Sequence, residues 1–301
     1  MQKLIIDTDC GIDDAVAIMM ALAHPDVEVI GITTVSGNVD VEQVTENVLR
    51  LLAYFDRSDI PVYRGASHAL LQGAVRASGV HGDNGLGGVE LPATTARPRP
   101  EPAPVGLAEL LRANPDATVV TLGPMTNLAM SLNLFPDAIS RIGRLVAMGG
   151  GIDVGNVTRF AEFNFYADPE AVQFVLDRGV PMEVVPWDAC IEHELSRDDL
   201  SAVGLRDGRA SELFFRLQDF VLARSQHVYG RPFTRHPDPL AMAYAIDPGV
   251  AAQIRRTGLT MELANGTLRG ASVRTDGEQV RAVMSIRRDA YVAILRRIAD
   301  L

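Results

Sequence analysis

The chain has 301 residues, 47% of them hydrophobic and 22% charged, with a formal net charge of -10. That apolar content supports one large core or two smaller ones and excludes a disordered chain. The negative balance argues against nucleic acid or an anionic membrane as the main partner, and it fits a soluble enzyme acting on a neutral or cationic ligand.

Lys3 to Ile6 reads as a buried strand; Gly11 supplies a turn, and Asp13 to Ala23 reads as a helix. Val27 to Val35 is a second strand, rich in β-branched residues. Val41, Val44, Val48, Leu51, Leu52 and Phe55 then recur at helical spacing. The proline-rich segment Leu91 to Val105 reads as an extended surface loop. Ala117 to Leu122 is a strand followed by a helix starting near Pro124, and Arg144 to Met148 is a strand before a glycine run. A helix begins near Asp168, and the strand Pro181 to Val185 follows it. Ala210 to Gly230 reads as a longer helix. Gly258 to Ala264 and Val280 to Ile286 read as late strands paired antiparallel, and a helix from Arg288 to Ala299 closes the chain. Strands alternating with helices predict a single α/β domain over residues 1–301. Its central sheet is mostly parallel, flanked by helices and Rossmann-like, with a late antiparallel portion. In such sheets ligands sit beyond the carboxyl ends of the strands. No apolar stretch approaches about 18 residues, so no membrane span is expected, and the immediate strand-like start predicts no signal peptide. Cys10 and Cys190 form neither a metal-type pair nor a disulfide framework, so a cytoplasmic location is expected.

Four carboxylates crowd the first turn: Asp7, Asp9, Asp13 and Asp14. Helix capping and solvation account for one or two of them. Two like charges about 4 Å apart repel by about 4 kcal/mol at an effective dielectric of about 20. Buried together, they must protonate or bind a cation. Donors that are all oxygen suit a hard cation, calcium or magnesium. The pattern D-x-D-x-G at a strand end also suits a magnesium-dependent aspartyl phosphatase with Asp7 or Asp9 as nucleophile. That class expects Thr after the Gly and a paired Asp-Asp far downstream; here Ile12, Asp13 and Asp14 follow Gly11 directly.

Further polar segments complete the pattern. They are TTVSGN, ending at Asn38; HGDNGLGG from His81; TLGPMTNLA from Thr121; MGGG from Met148; GNVTRFAEFNFYADPEA from Gly155; and HPDPLAMAYAIDP from His236. With the N-terminal turn, in this order over most of the chain, they resemble the nucleoside hydrolases of the inosine-uridine preferring type. The resemblance implies a bound Ca2+, a small-molecule ribonucleoside as substrate, hydrolysis of its N-glycosidic bond, and a homodimer or homotetramer. It implies that Asp9, Asp14, Asp238 and the Leu122 carbonyl hold the ion, with Asp9 also the general base. Asp13 would grip the ribose 2′ and 3′ hydroxyls with Asn38 and Asn164 nearby. Asn156 and Glu162 would hold the 5′ hydroxyl, Met148 would line the sugar pocket, and Asp7 would orient its neighbours. Breaking the C1′–N bond builds positive charge on the ribose, so carboxylate and amide oxygens around it suit that chemistry.

The pattern has two departures. Many relatives carry His directly before the Asp of D-P, where it can protonate the leaving base; here that place is Pro237, with His236 one residue earlier. His236, His227 and Tyr229 are the candidates for assisting departure of the base. Cys10 stands where relatives commonly carry Pro, with little consequence expected. A homologue that binds calcium and ribose without turnover is the remaining alternative. The plainer readings are as follows. Asn38 and Asn156 are turn residues, Met148 is core, Trp187 is packing, and Thr126 and Asn127 cap the helix after Pro124; His81 is a loop histidine whose glycine-rich surroundings also keep it a candidate for binding the sugar. Asp168 caps a helix, and Glu192 to Asp199 is a solvated face. Alternation in the apolar run places Glu162 and Asn164 on one face, away from Phe163 and Phe165.

Overall fold

The computed structural model describes residues 1–301. Eight strands form one sheet: β1 (Gln2–Thr8), β2 (Val27–Thr34), β3 (Val62–Arg64), β4 (Thr118–Thr121), β5 (Arg144–Met148), β6 (Met182–Val185), β7 (Ala251–Met261) and β8 (Ser272–Ile286). Their order is β3-β2-β1-β4-β5-β6-β8-β7. All neighbours run parallel except β7, which is antiparallel to β8. The expected α/β architecture with a late antiparallel portion is therefore observed.

The chain winds outward from β1 in both directions, so β1 and β4 flank a topological switch point. There the helices that follow leave on opposite faces and open a crevice at the strands' carboxyl ends. Leu4 and Ile6 of β1 pack into one layer with Val16, Val48 and Tyr244, while Ile5 packs into the other with Leu111, Val119 and Val172. Period-two alternation thus feeds both faces of the sheet, which is why the inner strands read as continuous apolar runs.

Several boundaries differ from expectation. The loop expected from Leu91 to Val105 ends at Pro102, because Ala103–Ala113 is a helix with proline in its first turn, where no donor is lost. The three-residue β3 is too short to show a period. Val280 to Ile286 pairs not with Gly258 to Ala264 but with residues 251–257, and Gly258 lies opposite Thr275. The polar residues between Ser272 and Gln279 conceal how far the hairpin extends, because that stretch is largely exposed.

Candidate active site

β1 delivers Asp7 and Asp9 to the switch point, and the helix Ile12–Ala23 starts at once, placing Asp13 and Asp14 in its first turn. Gly11 is its N-cap, and the Asp14 carboxylate accepts the Gly11 N–H at 2.8 Å. Cys10 between them takes φ 25°, a conformation rare for residues with a side chain and closed to a proline ring. Asp238 enters from the first turn of the helix Pro237–Ile246, which packs against the helix Ile12–Ala23. One carboxylate oxygen from each of Asp13, Asp14 and Asp238 lies within 4.8 Å of the others. Asp9 sits beside this group, its Oδ2 accepting the Asn38 N–H at 2.8 Å. A Cβ on Gly37 would stand 2.0 Å from Asp9 Oδ2, and one on Gly123 2.9 Å from Asp9 Oδ1. The carboxylate fills space that two glycines leave.

Burial first, and then the neighbouring carboxylates, push Asp9 and Asp238 well above the usual carboxylate range. Asp14 is raised by the same causes, and burial lifts Asp13 to about 6. Asp13 Oδ1 is buried without a hydrogen-bond partner. A cluster of largely buried acids with one unpaired oxygen, and only the His81 ring nearby at 3.7 Å from Asp13 Oδ1, fits a hard divalent cation. The Leu122 carbonyl accepts from Asn164 Nδ2 at 2.7 Å, and its second lone pair is free for such a cation. Behind the cluster, Asp7 Oδ1 accepts Asn127 Nδ2 at 2.7 Å and the Thr33 hydroxyl, and burial lifts Asp7 to about 7.

A cavity of about 280 Å³ opens above these groups. Its walls carry Asp9, Asp13, Asn38, His81, Leu122, Met148, Asn156, Glu162, Asn164, Tyr229, His236 and Asp238. Asp14 is fully buried just behind the wall, reaching the cavity only through its place in the carboxylate cluster. Glu162 is the N-cap of the short helix Phe163–Ala167, accepting the N–H groups of Asn164 at 3.0 Å and Phe165 at 3.2 Å, and that of Gly150 at 2.8 Å. Burial nevertheless lifts it to about 7. Asn156 Oδ1 accepts the Phe163 N–H at 2.8 Å, tying its loop to that helix. His81 Nδ1 accepts the Ile12 N–H at 3.2 Å, so the ring is neutral with its proton on Nε2. Burial holds its pKa down at about 4.

The outer end of the cavity is different in kind. Tyr229 closes the helix Arg209–Tyr229 at the rim, 59% exposed, with its ring 5.4 Å from that of Phe233. Arg235 lies over the rings of Phe233 and Trp187, at 5.0 and 5.4 Å. His236 is buried, with Nδ1 2.6 Å from the Tyr291 hydroxyl and Nε2 2.9 Å from Gln218 Oε1. Burial, then His193, brings it down to about 3. His227 is not at the cavity.

The family model described as inosine-uridine preferring nucleoside hydrolase matches residues 4–293. The chain belongs to this family. This nucleoside hydrolase is 36% identical over 255 residues to the pyrimidine-specific ribonucleoside hydrolase RihA of Escherichia coli, covering 84% of the chain and 82% of that protein. A plant nucleoside hydrolase superimposes with a TM-score of 0.92 at 30% identity, covering 99% of this chain and 98% of that one. A purine-preferring ribonucleoside hydrolase of Gardnerella vaginalis gives 0.92 at 27% identity, with the same coverage. Membership makes the chain an N-glycosyl hydrolase of ribonucleosides.

Several local readings need correction in this nucleoside hydrolase. Trp187 lines the cavity and is not packing alone. Glu162 and Asn164 do share the cavity, but as cap and first turn of a helix, so Phe163 lines it with them and only Phe165 turns to the core. Thr126 and Asn127 do not cap their helix; Thr126 donates to Asp168 and Asn127 to Asp7. The stretch from Glu192 to Asp199 is not all solvated: His193 and Leu195 are buried, and Glu194 pairs with Arg231 and Arg235. Asp168 caps its helix as expected, accepting the Ala171 N–H at 3.0 Å. Gln218 and Arg235 also line the cavity and have no signal in the sequence, since a polar residue on a long amphipathic helix and an arginine in a loop carry no pattern of their own.

Proposed function

We propose that this enzyme hydrolyses ribonucleosides to ribose and free base in a calcium-dependent reaction, with Asp9 as general base. The observation that carries the reading is the meeting of Asp13, Asp14 and Asp238 beside Asp9, on the floor of a cavity whose walls bear Asn38, Glu162 and Asn164. Asp9, Asp14, Asp238 and the Leu122 carbonyl would hold the ion. When bound, Ca2+ would fix a water in place and lower its pKa.

The remaining chemistry belongs to side chains of the chain itself. Asp9 takes the proton of the attacking water, its carboxylate held in place by the Asn38 N–H at 2.8 Å. Asp13, with the otherwise orphaned Oδ1, accepts from the ribose 2′ and 3′ hydroxyls. Asn38 and Asn164 stand near them, and Asn164 has its amide nitrogen committed to the Leu122 and Met148 carbonyls, leaving its oxygen toward the sugar. Glu162 and Asn156 take the 5′ hydroxyl, and Met148 forms apolar wall. A site that pairs buried acceptors with sugar hydroxyls rejects deoxyribose by leaving those acceptors unpaired. His81 presents its Nε2–H toward the cavity, and Tyr229 covers the base at the rim. His236, neutral and bonded at both nitrogens, acts in this reading by fixing Gln218 and Tyr291.

The test is a panel of nucleosides assayed for reducing sugar, with chelator and with Ca2+ or Mg2+ restored. Release of ribose that a chelator stops and Ca2+ restores is expected. Phosphate released from a phosphoester would point to the aspartyl phosphatase, and ribose affinity without turnover to a binding protein. The homodimer or homotetramer and the cytoplasmic location rest on the resemblance and the composition. Light scattering and cell fractionation measure them. No helix is long and apolar enough to cross a membrane.

A further inference from the structure

The helix Arg209–Tyr229 turns one stripe toward the cavity: Gln218, Val221, Ser225 and Tyr229, at i, i+3, i+7 and i+11. Gln218, 1% exposed, stands at the buried end of the stripe and Tyr229 at the rim. The Gln218 side chain ends a buried run of hydrogen bonds, Tyr291 to His236 to Gln218, and that run has one workable direction. Tyr291 is fully buried, and His236 Nδ1, at 2.6 Å, is the sole partner of its hydroxyl. Burial pushes the pKa of Tyr291 up, so the hydroxyl keeps its proton, and a buried O–H left without an acceptor is costly. His236 Nδ1 is therefore the acceptor, and the ring proton sits on Nε2. Nε2 donates to Gln218 at 2.9 Å, and only the amide oxygen Oε1 can accept there. The amide nitrogen is left on the far side. It has no hydrogen bond within the protein and is not closed to solvent, and the solvent that this buried residue meets is the cavity it lines. The opposite sense, with the amide nitrogen donating to His236, would strand the Tyr291 O–H in the core.

We infer that Gln218 reads the base of the nucleoside: its Nε2–H, held toward the cavity by Tyr291 through His236, donates to a carbonyl oxygen or an unprotonated ring nitrogen of the base. The inference rests on the hydrolase reading above. In that reading the sugar hydroxyls belong to Asp13, Asn38, Asn156, Glu162 and Asn164. Gln218 shares its stripe with Val221 and Tyr229, an apolar side chain and a ring that suit a flat heterocycle. Arg224 and Tyr229 can add contacts at the mouth. Gln218 differs from them in that its donor is fixed before the substrate arrives, so little side-chain freedom is lost on binding. Tyr291 does not line the cavity and acts only through its neighbours, as a positioning residue.

The experiment measures kcat/KM for the wild type, Gln218→Met, Tyr291→Phe and the double variant on two substrates: the best natural nucleoside and 4-nitrophenyl β-D-ribofuranoside, whose leaving group has no ring nitrogen or ring carbonyl. Gln218→Met keeps the length of the side chain without a donor. The expected result is a loss of about 10- to 10²-fold on the nucleoside, the worth of one buried hydrogen bond left unmade, with a markedly smaller loss on the nitrophenyl riboside. Tyr291→Phe frees the amide to turn over; it should cost less than Gln218→Met on the nucleoside and add nothing in the double variant. Equal losses on both substrates would assign Gln218 to the sugar or to the fold and overturn the proposal, as would a Tyr291→Phe loss that multiplies with that of Gln218→Met. Two measurements on the wild type need no variant. The ¹⁵N shifts of His236 should show its proton on Nε2, and a crystal structure with the free base should place Gln218 Nε2 within hydrogen-bond distance of a base acceptor. A proton on Nδ1, or a base beyond that distance, overturns the proposal. Wild type that releases ribose from neither substrate overturns the hydrolase reading itself, which is a separate result.

Discussion

At the scale of single residues, Asp9 and His193 give opposite tests of burial. Asp9 is buried among other acids, and Asp9→Asn removes its capacity to take a proton and one negative charge from the proposed ion site while keeping its size and an acceptor for the Asn38 N–H, so the comparison is made at saturating Ca2+. Turnover should fall by about 10²- to 10⁴-fold, the usual worth of a positioned base, with little change in KM. Steady-state kinetics on the preferred nucleoside measure both. His193 is buried away from the site, its Nε2 2.6 Å from the Ile286 carbonyl and its Nδ1 without a partner. Burial lowers its pKa below the ordinary value. Below about pH 6.5, therefore, the unfolded chain binds a proton that the folded chain resists, so this residue makes stability fall as pH falls and contributes no slope above that. His193→Gln keeps a donor for Ile286 and cannot titrate. The difference in urea midpoint between variant and wild type should shift in the variant's favour from pH 7 to pH 5. An unchanged difference would mean that His193 carries its charge in the fold.

At the scale of elements, the site is a meeting of strand ends and helix starts, and the glycines that permit close approach govern it. Gly37, in the turn after β2, leaves the space that the Asp9 carboxylate occupies. Gly37→Ala must displace that carboxylate, and a misplacement near 1 Å is worth about 10²-fold in rate. Activity should drop by that order while the thermal midpoint moves little. Gly73→Ala, where nothing lies within 4 Å of an added Cβ, is the control and should match the wild type in a side-by-side assay. These elements differ in how legible they are in the sequence. The inner strands announce themselves because both faces are buried, and the acidic turn because so much like charge needs a cause. The helix Phe163–Ala167 was hidden, since E-F-N-F alternates like a strand and only its capping by Glu162 makes it helical. Polar residues 274–279 concealed half of β8 because they are exposed on an edge hairpin. The wall of Trp187, Phe233 and Arg235 brings the start of the helix Trp187–Glu192 against a loop far along the chain, and no local spacing foretells that contact.

At the scale of the whole molecule, the carboxylate cluster sets a tension between function and stability. Asp9, Asp13, Asp14 and Asp238 are all driven above their ordinary range, chiefly by burial and, for Asp9, Asp14 and Asp238, also by one another. In the absence of a cation the fold must keep protons on some of these groups or hold unscreened like charges together. Between the ordinary carboxylate range and their raised values the folded chain binds more protons than the unfolded one, so the cluster lowers stability as pH rises. A divalent cation competes with those protons and binds only the assembled site, because Asp238 is more than 220 positions from Asp14 along the chain. Ca2+ should therefore stabilise the folded chain, by about 2.7 kcal/mol at a free concentration about 100 times its Kd, and the gain should be larger at pH 8 than at pH 5. Calorimetry in Ca2+ and in chelator at both pH values measures it. Asp238→Asn should lose most of the calcium-induced rise in Tm while melting no lower than the wild type in chelator, since it removes one of the repelling charges. A rise in Tm that is unaffected by Asp238→Asn, or that shrinks toward pH 8, would place the ion elsewhere in the molecule.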